Sequence, residues 1–106
     1  MPKLGGIEVR RRQEGDPAGE KAIRTKFMSQ GFQPYRWSNQ PGDTYDAHYH
    51  SYSKVIWVVR GDIIFKFPEL EDEIMLEEGD RLELPAEMVH EAIVGKTGVV
   101  CLEAHH

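Results

Sequence analysis

The chain has 106 residues, 40% hydrophobic and 29% charged, a composition expected of one compact domain with one core. A formal charge of −5 argues against general binding to nucleic acid or to anionic membrane surfaces. The longest apolar run, "VIWVV", is far too short to span a bilayer, and "MPKLGGIEVRRR" lacks the apolar core of a signal peptide.

In chain order, "IEVRRRQ" reads as an edge strand, with Arg10, Arg11 and Arg12 solvating an exposed edge. Asp16-Pro17 then offers a helix N-cap followed by proline at the first helical position, and Gly31 is placed to end the helix. Between them, "AGEKAIRTKFMSQ" puts Ile23 and Phe27 on one face and sets Glu20 and Arg24 as an i,i+4 pair. This helix is expected to pack on the outside or one end of the domain.

From Phe32 onward, short strands alternate with turn signals. "FQPYRWS" leads to "NQPGD", and "YDAHYH" and "KVIWVV" follow. "RGD" then turns the chain into "IIFKF". "EIMLE" runs to "EGD", "RLEL" to "PAE", "MVHEAIV" to "GKTG", and "VVCLEA" comes last. About eight strands with close turns predict an antiparallel sandwich or a closed barrel. Without strand–helix alternation, a parallel α/β sheet is not expected.

Side chains two apart in a strand point the same way, so His48 and His50 share a face with Cα atoms about 7 Å apart. Two imidazoles at that separation can converge on one ion, although an HxH pair alone is a weak signal. Its context adds to it. Gly42 stands six positions before His48, Gly61 eleven after His50, and Gly79, Pro85 and His90 recur at spacings of six and five.

This arrangement resembles the two sequence motifs of the cupin family. The first is a glycine, five residues, HxH, three or four residues, a glutamate, six residues and a glycine. The second is a glycine, five residues, proline, one residue, glycine, two residues, histidine, three residues and asparagine. Gly42, His48, His50 and Gly61 match the first, and Gly79, Pro85 and His90 match the second. Lys54, Glu87 and Val94 replace the motif glutamate, second glycine and asparagine; either Glu87 adopts positive φ after Pro85, at about 1–2 kcal/mol, or the turn there differs from the motif's.

The resemblance implies an all-β fold, a cupin jelly-roll β-barrel with one short N-terminal helix. The chain reads as a single domain over 1–106, with an N-terminal strand and helix over 1–31 and the barrel over 32–104. It further implies a divalent transition metal (iron, manganese, nickel, zinc or copper) held near the barrel mouth by His48, His50 and His90. The family spans dioxygenases, isomerases, epimerases, decarboxylases and binding proteins, so the reaction stays open.

Parity places Lys54 on the histidine face with Asp46, Tyr52, Ile56 and Val58. An ammonium about 4 Å from a divalent ion is repelled by about 8 kcal/mol at an effective dielectric of 20. Lys54 therefore swings away, loses its proton, or holds an anion between itself and the metal. In the third case Lys54, with Tyr52, orients a small anionic substrate that the metal polarises. The competing reading pairs Lys54 with Asp46, Glu83 or Glu87 and leaves the histidines metal-free, in a small-molecule-binding cupin without turnover.

Elsewhere, Arg60 reads as a solvated turn residue, and Arg81 and Glu83 share a face as a possible internal pair. Trp37, Trp57, Phe65 and Phe67 read as core or interface. Trp57 and Val59 lie opposite the histidines, where a homodimer contact or the N-terminal segment would cover them. Cys101 reads as a buried structural thiol, and its solitary state fits a reducing cytoplasm. His105 and His106 are set aside from the site.

Overall fold

The protein is described by a computed structural model over Lys3–Leu4 and residues 6–106. In chain order its elements are β1 (Lys3–Leu4), β2 (Ile7–Arg10), α1 (Glu20–Ser29), β3 (Tyr35–Asn39) and β4 (Thr44–His48). They continue with β5 (Lys54–Phe67), a 3-10 turn (Pro68–Leu70), β6 (Asp72–Leu76), β7 (Arg81–Leu84) and β8 (His90–His105).

The two long strands, β5 and β8, organise the rest. They pair antiparallel, and their register shifts between Val58 and Arg60 and again between Gly61 and Ile63. Before the shifts, β5 pairs with the end of β8, and β7, β2 and β3 complete the sheet, with β1 paired to β2. After them, β5 pairs with the start of β8, flanked by β6 and β4. Inward residues of both halves, among them Ile56, Leu82, Phe65, Leu76 and Cys101, share one core cluster. The architecture is an all-β barrel, one of the two arrangements the strand pattern predicted and the jelly roll that the cupin resemblance implied.

Two expected turns are not turns. "RGD" and "GKTG" lie inside β5 and β8, at the bulges where those strands bend from one half of the barrel to the other. Gly61 has φ +83°, and a Cβ there would stand 2.0 Å from the Gly98 carbonyl oxygen. Glycine marks a bulge or a close backbone approach as readily as a turn, and only long-range pairing separates the two.

The helix starts later than Asp16-Pro17 implied. Gly19 occupies the N-cap without a side-chain cap, and Asp16 instead accepts from the Gln13 backbone N–H at 2.8 Å and pairs with Arg10. Its end is as expected. Phe32 N–H reaches Phe27 O and Gly31 N–H reaches Met28 O, the paired bonds of a Schellman motif. Ile23 and Phe27 are buried against Val55, Trp57, Leu102 and Ala104, so α1 covers the outer face of the first sheet. Phe27 meets Trp57 edge-on at 5.3 Å, which leaves Trp57 to the helix rather than to a second subunit.

β2 lies between β1 and β7 and sends Ile7 and Val9 into the core. Arg11 is more than a solvating residue, pairing with Asp80 at 2.9 Å. Arg81 and Glu83 alternate with the buried Leu82 and Leu84 and face outward, and Arg81 lies over the Phe27 and Trp57 rings. Among the described residues no helix is long and apolar enough to cross a membrane.

Candidate metal centre

His48 ends β4 and His90 opens β8, and the two are cross-strand partners. β4 carries a bulge between Tyr45 and His48, and His50 lies beyond its end, so simple strand alternation does not hold over this stretch. The three histidines nevertheless converge. Their ring centroids are 4.9 Å (His48–His50), 4.3 Å (His48–His90) and 5.4 Å (His50–His90) apart. One ligating nitrogen from each lies within 4.8 Å of the others.

Local backbone fixes two of these rings. His48 Nδ1 is 2.7 Å from Asp46 O and His90 Nδ1 is 2.9 Å from Met88 O, each bonding two residues back. A carbonyl only accepts, so Nδ1 carries the proton and Nε2 keeps its lone pair, the arrangement that orients histidine as a ligand. Burial, reinforced by the nearby Lys54 and His48, keeps His50 below its usual pKa. Burial likewise brings His90 down to about 4, despite its backbone hydrogen bond. Neutral imidazoles of this kind suit zinc, iron, nickel or copper, so the donor set fits the cofactor that the motifs imply.

These histidines line a cavity of about 250 Å³ inside the barrel. Ile56, Ile63, Phe65 and Ala92 form its apolar wall, and Lys54, Glu103, Tyr35, Trp37, Tyr45 and Tyr52 also reach it. Larger grooves lie elsewhere on the surface, away from the histidines.

No family model matches the chain, and no curated protein matches it. Solved structures do. A cupin superfamily protein from Desulfitobacterium hafniense is 15% identical at a TM-score of 0.61, over 99% of this chain and 81% of that one. The chain has the cupin fold. A DUF861 family protein from Thermotoga maritima, 8% identical, aligns over 94% of this chain and 99% of its own at a TM-score of 0.66. A structure of DMSP lyases aligns at 24% identity and a TM-score of 0.60, over 73% of this chain and 39% of that one.

Within this fold the retained motif glycines Gly42, Gly61 and Gly79 all have positive φ. So does Glu87, at +68°, the first of the two alternatives where the motif has its second glycine. The Glu87 N–H donates to His50 O at 2.7 Å, and Ala86 N–H donates to the Ser53 hydroxyl at 3.2 Å. The "PAE" turn thereby ties the loop carrying His50 to the segment leading into His90.

Lys54 does face the cavity and is buried, but its partner is none of the three acids expected. It pairs with Glu103 of β8, Nζ to Oε1 at 3.6 Å. Register explains the contact: Lys54 is opposite His105, which makes Glu103 its diagonal neighbour on the same face. Tyr35 of β3 is directly opposite Glu103, and Trp37 is diagonal to it. Glu103 accepts from the Tyr35 hydroxyl, from Trp37 Nε1 at 3.1 Å and from His105 Nε2 at 2.9 Å. Burial opposes its charge, yet Lys54 and those donors hold its carboxyl below the usual glutamate range.

Sequence reasoning missed Glu103 and set His105 aside. A signal was present, because "VVCLEA" is apolar on both parities except at Glu103, which marks a carboxylate in a strand buried on both faces. Tyr52 stands at the rim, stacked on His50 at 5.0 Å and against His105 at 4.1 Å. Asp46 and Val58, expected on the histidine face, do not line the cavity. Cys101 is buried as expected, and burial raises its thiol pKa.

Proposed function

We propose that this cupin is a metal-dependent protein in which His48, His50 and His90 hold a divalent transition metal and the cavity takes a small anionic substrate. The convergence of three ring nitrogens within 4.8 Å, two of them on rings oriented by backbone carbonyls, carries this reading. Bound there, the metal would supply Lewis-acid polarisation or redox chemistry.

The side chains supply binding and orientation. Three neutral imidazoles leave a divalent charge uncompensated, and the Lys54–Glu103 pair is neutral as a unit, so the remaining charge calls for an anion. Lys54 fixes the anionic group, and Tyr52 shields the His50 side of the mouth. The apolar wall of Ile56, Ile63, Phe65 and Ala92 excludes water from the substrate body. Oxygen insertion and isomerisation through an enediolate-like species both fit an anion held this way. The likeness to DMSP lyases supports a small-molecule enzyme, since that relative is one.

One observation favours a second reading, a binding module without turnover. Lys54 has its counter-charge within the protein, in Glu103 at 3.6 Å, so the ammonium needs no metal-held anion to neutralise it. Metal analysis of protein prepared without an affinity tag tests the choice. The first reading expects one metal per chain, lost in His90→Ala and His48→Ala. Wild-type protein that neither carries stoichiometric metal nor gains thermal stability from added zinc, nickel or iron overturns it.

A further inference from the structure

The asymmetry of the buried ion pair names the ligand class more closely; this inference deepens the small-anion reading above and shares its cavity, although it does not require the metal. Glu103 is saturated, with Tyr35, Trp37, His105 and Lys54 on its two oxygens. Lys54 is not. Its ammonium carries three N–H donors, and Glu103, its ion-pair partner among the described residues, is 3.6 Å away, beyond hydrogen-bond length. Both side chains are at least nine-tenths buried, and both line the cavity. The unused donors of Lys54 therefore call for an acceptor that enters the cavity.

The other walls restrict what carries that acceptor. Ile56, Ile63, Phe65 and Ala92 offer no hydrogen bonds, so a polyhydroxylated ligand would lose its water partners without replacement. Phosphate would bring up to two charges to a single ammonium already shared with Glu103. A volume of about 250 Å³ equals roughly eight waters at about 30 Å³ each, room for a short chain or one ring. We propose that Lys54 and Glu103 form a carboxylate anchor. Lys54 binds the carboxylate of a small monocarboxylic acid whose apolar body lies on Ile56, Ile63, Phe65 and Ala92, and Glu103 is the positioning residue that holds the ammonium there.

Titration calorimetry tests this with butyrate, benzoate, gluconate and inorganic phosphate, on chelator-treated and on zinc-loaded protein. Metal-free wild type is expected to bind butyrate or benzoate at least about tenfold more tightly than gluconate or phosphate. Lys54→Met is expected to lose roughly tenfold or more of that affinity, the scale of one charge-assisted hydrogen bond. Glu103→Gln makes the cavity more positive yet is expected to weaken carboxylate binding, because the ammonium loses its anchor. Tighter binding in Glu103→Gln overturns the positioning role and leaves Glu103 a mere opposing charge. Gluconate or phosphate binding as well as benzoate, or no carboxylate binding to either form, overturns the proposal from wild type alone, even if a variant fails to fold. The two readings fail separately: Lys54-dependent benzoate binding without zinc binding sinks only the metal, and zinc binding without carboxylate binding sinks only the anchor.

Discussion

Removing either partner of the Lys54–Glu103 pair is expected to destabilise the protein unequally. Lys54→Met leaves a buried carboxylate, but Tyr35, Trp37 and His105 still donate to it. Glu103→Leu strips the ammonium of its counter-charge and deprives those three donors of their acceptor. With Lys54 at 8% and Glu103 at 4% exposure, solvent relieves neither change. A stranded buried charge costs about 3–5 kcal/mol, so Glu103→Leu is assigned that range and Lys54→Met about 1–2 kcal/mol. For a domain whose total stability is about 5–15 kcal/mol, the former removes a large share. Once Glu103 is gone the stranded ammonium is the main penalty, so the double variant should be more stable than Glu103→Leu alone. The cycle should then show a coupling of about 2 kcal/mol or more, against about 0.5 kcal/mol for independent sites. Urea unfolding of metal-free protein, followed by the fluorescence of Trp37 and Trp57, measures all four corners. Equal losses in the two single variants, or additivity in the double, would refute the account of Glu103 as the saturated hub of the pair.

Further outcomes follow from the same contacts. His90 stays neutral in the folded protein down to about pH 4, against 6.5 for the free side chain. The unfolded chain therefore takes up a proton first, and metal-free stability should fall by about 3 kcal/mol between pH 6.5 and pH 4. Glu103, whose folded pKa is also lowered, adds to the loss as pH falls through its own titration. A flat stability profile from pH 7 to pH 4.5 would contradict this. Phe27→Ala should cost about 3–5 kcal/mol by emptying the seat of α1 on Trp57 while leaving one-to-one zinc binding intact, read by urea unfolding and metal analysis. Glu87→Gly should stabilise by about 0.5–1 kcal/mol, because relief of the left-handed strain exceeds the added freedom of the unfolded glycine. Gly61→Ala should destabilise sharply, since its Cβ meets a backbone oxygen; a melting temperature within a few degrees of wild type would count against the packing at the bulge.

Part of the candidate site was legible because its signals are local. The HxH pair, the positive-φ positions and the spacing to His90 are written within short stretches, and each reports a backbone conformation or a side-chain direction. Expectation and structure agree on the barrel and on the cavity-facing side of Lys54 for that reason, and Glu87 takes the positive-φ alternative. The parity argument for His48 and His50 reached the right result through an incomplete picture, since the bulge in β4 breaks the alternation and the ties from "PAE" bring His50 back. The helix was found but its start was misplaced, because Asp16 satisfies the Gln13 N–H and pairs with Arg10 instead of capping.

By itself the sequence determined an all-β chain with a helical N-terminal segment, three histidines at cupin spacing and a lysine where that pattern has glutamate. Tertiary structure alone decided what the lysine meets. Glu103 lies 49 positions further on in sequence, yet the β5–β8 register sets it diagonally across from Lys54. The same register turned two glycine-marked turns into bulges of continuous strands, and packing assigned Trp57 to α1. Alternation, caps and φ preferences act over a few residues and can be read along the chain. Pairing between distant strands depends on which register buries the most apolar surface while satisfying the buried charges, and that choice belongs to the whole fold.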